Sequence, residues 1–275
     1  MEKVRNNIFV ETEFLGCNPS FIVTSCGVVM IDTPQKPCEA FQWRREIQNF
    51  GEVIYIINTD HHRDHAIGDY YFDAETIMHE GTEKRLTSPE YMELCRNWVK
   101  LLDPQSGPVI DHYFVRKPTF TYADRMTLHM GGDIFTLIHV RSHTADETLV
   151  YMPEKKVLFA GDTVCTNGIP SLYESYPLEW LDALQLIETL DFEVLVPGHG
   201  KVGNKESMRQ FRKELKILIS RAEEMINQGL DRERIIRDLQ YEDVVHSKYP
   251  PSVTAHFQQN MGKNIGRLYD ALIKK

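Results

Sequence analysis

One stretch constrains this chain more than any other. Val53-Ile54-Tyr55-Ile56-Ile57 runs straight into Asn58-Thr59-Asp60-His61-His62-Arg63-Asp64-His65. The first part is a continuous apolar run of strand length, the pattern of a strand covered on both faces. The second sets Asp60, His61, His62, Asp64 and His65 within six residues. Crowding carboxylates and imidazoles is costly unless a divalent cation neutralises the former and takes the latter as neutral bases. The plainer alternative is a polar loop rich in histidine. A strand end feeding a loop of ionisable groups is a common place for chemistry, so a layered sheet structure with its site at the strand ends is expected.

The flanking sequence supports such layers. Phe21 to Thr24 and Val28 to Ile31, around Ser25-Cys26-Gly27, predict a hairpin stopped at Asp32-Thr33-Pro34. A helix is expected from about Cys38 to Phe50, ended by Gly51, and another over Glu90 to Leu102 before a loop at Asp103 to Pro108. Ile134 to Val140, Thr148 to Tyr151, Val157 to Ala160 and Glu193 to Val196 read as strands. Trp180, Leu184, Ile187 and Leu190 recur at helical spacing. Met208, Phe211, Leu215, Leu218, Ala222 and Met225 form one apolar stripe, stopped by Gly229. A last helix carries Val253, Phe257, Met261, Ile265, Leu268 and Leu272 on one face. These stripes suit core packing. A homo-oligomer contact through the C-terminal helices is the other use for them.

Three more ionisable residues stand at the ends of apolar strands: His143 in Arg141-Ser142-His143-Thr144-Ala145-Asp146, Asp162 after Val157-Leu158-Phe159-Ala160-Gly161, and His199 after Val194-Leu195-Val196-Pro197-Gly198. They converge on the Asp60–His65 loop if those strands lie side by side. Taken together, the four stations resemble the metallo-β-lactamase superfamily, whose pattern is H-x-H-x-D-H, a lone His, a Gly-Asp after a strand and a Gly-His after another. The resemblance spans roughly residues 8 to 202 of the 275. It implies an αβ/βα sandwich, two mixed β-sheets flanked by helices, with the metals at one edge. A single domain with a helical extension over about 203–275 is expected.

The resemblance also implies roles. His62 and His143 would hold one metal, Asp64, His65 and His199 a second, and Asp162 would bridge both. A hydroxide between two divalent ions, zinc on family grounds, would be the nucleophile, because metal binding lowers the pKa of water toward ~7. Asp64 would also orient the attacking water. One station departs from the family pattern: Asp60 stands where the first His is expected. Asp60 ligates directly, or the first site is weakened, or His61 substitutes. Direct ligation is the preferred reading. It brings three carboxylates against two divalent charges, which tilts metal preference toward Mn or Fe, since oxygen ligands suit harder ions.

Composition narrows the partners. The formal net charge of −9 argues against a dedicated nucleic-acid binder. Five cysteines without a C-x-x-C pair read as reduced thiols. No signal peptide and no apolar run near the roughly 20 residues of a membrane span are seen, so a cytoplasmic protein without membrane partners is expected. The leading function is hydrolysis of a small ester, lactone, thioester or amide-like substrate. The alternatives are a non-haem iron oxidoreductase of the same superfamily and a degenerate metal-binding protein. Several residues carry blander expectations: His79, His112, His129, His139, His246 and His256 as structural or surface histidines, Arg63 as the ion-pair partner of a neighbouring carboxylate in preference to an anion anchor near the mouth, and Cys165 as packing in preference to a residue approaching the site. Trp98, Tyr173, Tyr176 and Trp180 are candidate pocket walls with packing preferred.

Overall fold

The computed structural model describes residues 1–241, 249 and 260–274. The strands are β1 (Glu2–Arg5), β2 (Ile8–Val10), β3 (Ser20–Thr24), β4 (Gly27–Ile31), β5 (Val53–Ile57), β6 (Glu75–His79), β7 (Phe120–Tyr122), β8 (Arg125–Met130), β9 (Asp133–Val140), β10 (Glu147–Met152), β11 (Val157–Phe159) and β12 (Val194–Val196). The α-helices are α1 (Pro37–Ile47), α2 (Arg63–Ala66), α3 (Glu80–Leu86), α4 (Pro89–Leu102), α5 (Gly107–Ile110), α6 (Pro177–Thr189), α7 (Lys205–Asn227), α8 (Arg232–Asp238) and α9 (Met261–Leu272). Among the described residues, β1 to β7 form one mixed sheet in sequence order, and a second sheet runs β12-β11-β10-β9-β8.

Strand alternation builds the layers. On β4, Val29 and Ile31 face the space between the sheets, while Val28 and Met30 face outward toward α1 and α4. On β11 and β12, Phe159 and Val196 face inward, while Leu158 and Leu195 pack beneath α6, α7 and α9. Each such side chain, fully buried, contributes about 1.5–3 kcal/mol. A one-residue slip would turn every one of them to the wrong face. The result is an αβ/βα sandwich, as expected. The stripe on α7 is core: Met208, Phe211, Leu215, Leu218 and Ala222 are buried, as are Ile265, Leu268 and Leu272 on α9. Val253 and Phe257 lie outside the described residues. No described helix is long and apolar enough to cross a membrane.

Some expectations shift. β5 is covered on both faces only at its end, where Ile56 and Ile57 are buried; Val53, Ile54 and Tyr55 are partly exposed. The stretch Asp103 to Pro108 is not a plain loop but holds a 3-10 turn at Pro104–Ser106 and the start of α5. Asp162 does not end a strand. β11 stops at Phe159, and Gly161–Thr163 form a 3-10 turn. Gly161 makes that turn with φ 51°, and a Cβ there would meet the Thr59 side chain at 2.8 Å. The chain can bend sharply under the end of β5 because nothing projects from it.

Candidate metal centre

The end of β5 is held before any ionisable group is reached. Thr59 donates through its backbone N (2.7 Å) and its hydroxyl (2.7 Å) to Asp32 at the end of β4, and its carbonyl accepts from Thr148 N at 2.7 Å across the two sheets. From this anchor the chain delivers Asp60 and His62, then enters α2 with Asp64 and His65. β9, β11 and β12 are neighbours in the second sheet with β10, and the segments after them carry His143, Asp162 and His199 to the same edge. All seven residues singled out from the sequence are therefore brought together.

They fall into two sets. Asp60, His62 and His143 hold ligand-type atoms within 4.8 Å of one another, and Asp64, His65 and His199 form a second such set. Asp162 lies between them. Its Oδ2 is 3.4 Å from His143 Nε2, while its Oδ1 is 3.3 Å from His199 Nε2 and 3.5 Å from His65 Nε2. His62 Nδ1 is 2.9 Å from Asp60 Oδ2 and 3.1 Å from His143 Nε2, and His199 Nε2 is 3.3 Å from Asp64 Oδ2. His61 turns the other way: its Nδ1 meets both oxygens of Asp146 at 2.9 and 3.0 Å. Geometry thus sets Asp60, and not His61, beside His62 and His143.

The donor atoms fit a cation. His65 Nε2 and Asp60 Oδ2 are buried and have no hydrogen-bond partner among the described residues, although each faces other ligand-type atoms within 3.5 Å. Such atoms are close but not bonded to one another, and orphaning them costs about 1–3 kcal/mol each. Two imidazoles and a carboxylate in each set, with a shared carboxylate, is the chemistry of divalent metal ligation.

The charges agree. Burial alone would raise the Asp162 carboxyl, but His199 and His65 hold it well below the usual range. Asp64, half-buried, is lowered by His65 and His199 against the cost of desolvation. Asp60 is lowered, its burial overcome by His62 and His65. His62 is half-buried and is held well above its ordinary value by Asp60 and Glu174 against the cost of desolvation, whereas burial and then the neighbouring His62 leave His143 lowered to about 4. Protons and divalent cations compete for these same nitrogens.

The sequence of residues 12–199 matches the profile of the metallo-β-lactamase superfamily, and that span is more than half of the chain. The chain belongs to the metallo-β-lactamase superfamily.

Relatives place it broadly within that family. It is 28% identical over 184 residues to the 2,4-dinitroanisole O-demethylase subunit alpha of Nocardioides sp. (strain JS1661), covering 63% of this chain and 49% of that one. It is 26% identical over 222 residues to the metallo-β-lactamase type 2 of Elizabethkingia meningoseptica, covering 72% of this chain and 78% of that one. Among solved structures, the stereoselective inverting sec-alkylsulfatase from Pseudomonas sp. superposes with a TM-score of 0.73 at 13% identity, over 97% of this chain and 49% of its own. The chain thus spans about half the length of two of these three relatives.

Within this superfamily frame, several functional residues were not legible beforehand. In the sequence Asp32 reads only as a strand stop; its Oδ2 is 2.8 Å from His65 Nδ1, which leaves Nε2 facing Asp162. A carboxylate behind a ligating imidazole fixes its tautomer and its orientation. Asp32 reaches this position in a left-handed conformation, φ 54°, which Asp tolerates better than most residues. Glu174 does the same for the other set. Its Oε2 is 3.0 Å from His62 Nε2 and 3.4 Å from His61 Nε2, and its Oε1 accepts from Arg85 at 2.8 Å. Glu147 lies beneath the cluster, where burial, then Asp60 and Asp162, push its carboxyl well above the usual range.

A solvent-open cavity lined by His62, Asp64, His143 and Asp162 lies over the cluster. Trp98 and Tyr173 line it, and Tyr176 lines the adjoining cleft. Trp180 does not: it is fully buried, 5.6 Å from the His143 ring, and donates to Thr163 O at 2.8 Å. Arg63 departs from expectation, since no carboxylate among the described residues pairs with it; its guanidinium lies 4.3 Å over the Trp98 ring. Cys165 is buried with Sγ 3.7 Å from Asp162 Oδ1. His79 caps α3 and stacks on His139 at 4.0 Å. His112 and His129 are exposed and away from the cluster, and His246 and His256 lie outside the described residues.

Proposed function

We propose that the protein is a metal-dependent hydrolase acting on a small ester, lactone, thioester or amide-like substrate. The observation that carries this reading is the convergence of seven potential ligands, three of them (Asp60, His65 and His143) with a buried polar atom lacking a hydrogen-bond partner, at the floor of an open cavity. Asp60, His62 and His143 would hold one divalent ion, Asp64, His65 and His199 the other, and Asp162 both. Metals bound there would supply Lewis acidity and lower the pKa of an attacking water.

The chain's own groups do the rest. Asp64, held ionised, faces the cavity and accepts from Tyr249 OH at 3.4 Å, so it serves to orient the water and accept its proton. Asp32 and Glu174 keep His65 and His62 in fixed tautomers. Trp98 and Tyr173 narrow the cavity and exclude bulk water. The relatives' names cover a lactamase, a sulfatase and a demethylase, so the superfamily narrows the chemistry more than the substrate. All five cysteines are free thiols, which supports a reducing, cytoplasmic setting.

Three ligand carboxylates also support a preference for Mn or Fe over zinc. They keep alive a second reading, a non-haem iron oxidoreductase, which a visible iron absorption band with oxygen consumption would establish. The primary test is metal content by elemental mass spectrometry on protein purified without chelators. We expect about two metals per chain in the wild type and about one in Asp60→Ala, with hydrolysis of a thioester and lactone panel lost in parallel. One metal in both proteins would remove Asp60 from the ligand set.

A further inference from the structure

We infer that Arg63 anchors an oxyanion group of the substrate, so that the molecule hydrolysed is an anionic ester, thioester or amide. This rests on the hydrolase reading above and adds a substrate class to it. Arg63 sits between His62 and Asp64 in sequence, and its side chain lines the same cavity as Asp64, His143 and Asp162. It is half-buried, and among the described residues it has no carboxylate partner. Other arginines in this acidic chain do: Arg85 pairs with Glu174, Arg209 with Glu188 and Arg232 with Asp270. What sets Arg63 apart is its place: it has no carboxylate partner among the described residues and lines the cavity that holds Asp64, His143 and Asp162, in a chain of net charge −9.

Its surroundings make it a built feature. The guanidinium carbon lies 4.3 Å over the Trp98 ring, and a cation–π contact of this kind uses none of the N–H donors. The platform itself is fixed. Trp98 Nε1 donates to Gln35 Oε1 at 2.6 Å, and Gln35 Nε2 donates to Tyr249 OH at 2.8 Å. An anion would therefore meet a guanidinium whose orientation is already set, and little ordering entropy is lost on binding. The ligand carboxylates do not account for this charge. Three of them against two divalent ions leave no negative excess, so the Arg63 charge stands over for the substrate. A planar carboxylate matches its paired donors best.

The test uses two metal-binding probes of equal length, succinate monohydroxamate and neutral butyrohydroxamate, titrated calorimetrically into the metal-loaded protein, Arg63→Gln and Arg63→Lys, with metal content checked in each. The wild type should prefer the carboxylate-bearing probe by about tenfold or more. The preference should fall to near unity in Arg63→Gln and survive in part in Arg63→Lys, where charge remains but the fork is gone. A wild type without preference, or an Arg63→Gln protein that keeps it, overturns the assignment. If butyrohydroxamate itself fails to bind, the metal-centre reading fails and the anchor falls with it.

Discussion

The two ligand sets at the sheet edge are built from similar residue types but backed differently. Behind His65 stands Asp32, almost fully buried and tied through both oxygens to Thr59 at the end of β5. Thr33 and Asp69 continue the same network, with Thr33 donating to the His65 carbonyl and to Asp69 Oδ1. Behind His62 stands Glu174, carried on the loop before α6, about a quarter exposed and shared with His61 and Arg85. The first backing is part of the sheets; the second is a surface loop reaching in. A carboxylate on a rigid element holds its histidine more tightly than one on a loop, so the Asp64–His65–His199 set is the fixed half of the centre and the Asp60–His62–His143 set the adjustable half.

Three substitutions test that contrast. The largest effect belongs to Asp32→Ala, which leaves buried His65 without its partner. We expect about 3–5 kcal/mol lost in denaturant unfolding and 10–100-fold weaker retention of one metal against a chelator. Equal loss of both metals would erase the distinction between the halves.

Asp69 comes next. Its burial drives the carboxyl pKa up to about 7, despite hydrogen bonds from Asn58 and Thr33. Between roughly pH 4 and 7 the unfolded chain has released this proton while the folded protein keeps it. The stabilisation is therefore fully present below pH ~4 and is lost as pH rises through about 7, on the order of a few kcal/mol. In Asp69→Asn that slope should flatten, which urea titrations at pH 5 and 8 would show. An unchanged slope would mean that the network behind His65 is not a buried neutral acid.

The smallest effect is expected for Glu174→Gln: about tenfold weaker binding of a single metal, with unfolding hardly changed. Cobalt-substituted protein should show it as altered visible bands of one ion only. A global loss of stability in this variant would put Glu174 in the rigid half after all.

Much of this was legible in the sequence because strands ending in ionisable residues announce both the layer and the site. β3, β4, β5, β9 and β12 fell close to expectation, since β-branched runs bounded by turns have few other uses. All the motif residues converge. Asp32 and Glu174 were not legible for a physical reason. Each acts on an imidazole 33 or 112 residues away, and a lone carboxylate at a strand end or in a loop has no periodicity to mark it. Arg63 does not pair with the carboxylates beside it in sequence because Asp60 meets His62 and Asp64 meets His199. The 3-10 turn at Asp162 depends on Gly161 passing Thr59, a contact between sheets that no local pattern encodes.

The two sheets also divide the chain cleanly. β1 to β7 end at Tyr122 and β8 begins at Arg125. Asp60, His62, Asp64 and His65 come from the part before that junction, and His143, Asp162 and His199 from the part after it. The centre is thus jointly owned. A crossover between related genes at residues 123–124 would exchange three ligands as an intact set, together with the helices that support them, and leave the other four untouched. Each ligand set draws on both sides of that seam, so such an exchange would renew one or two members of both sets at once.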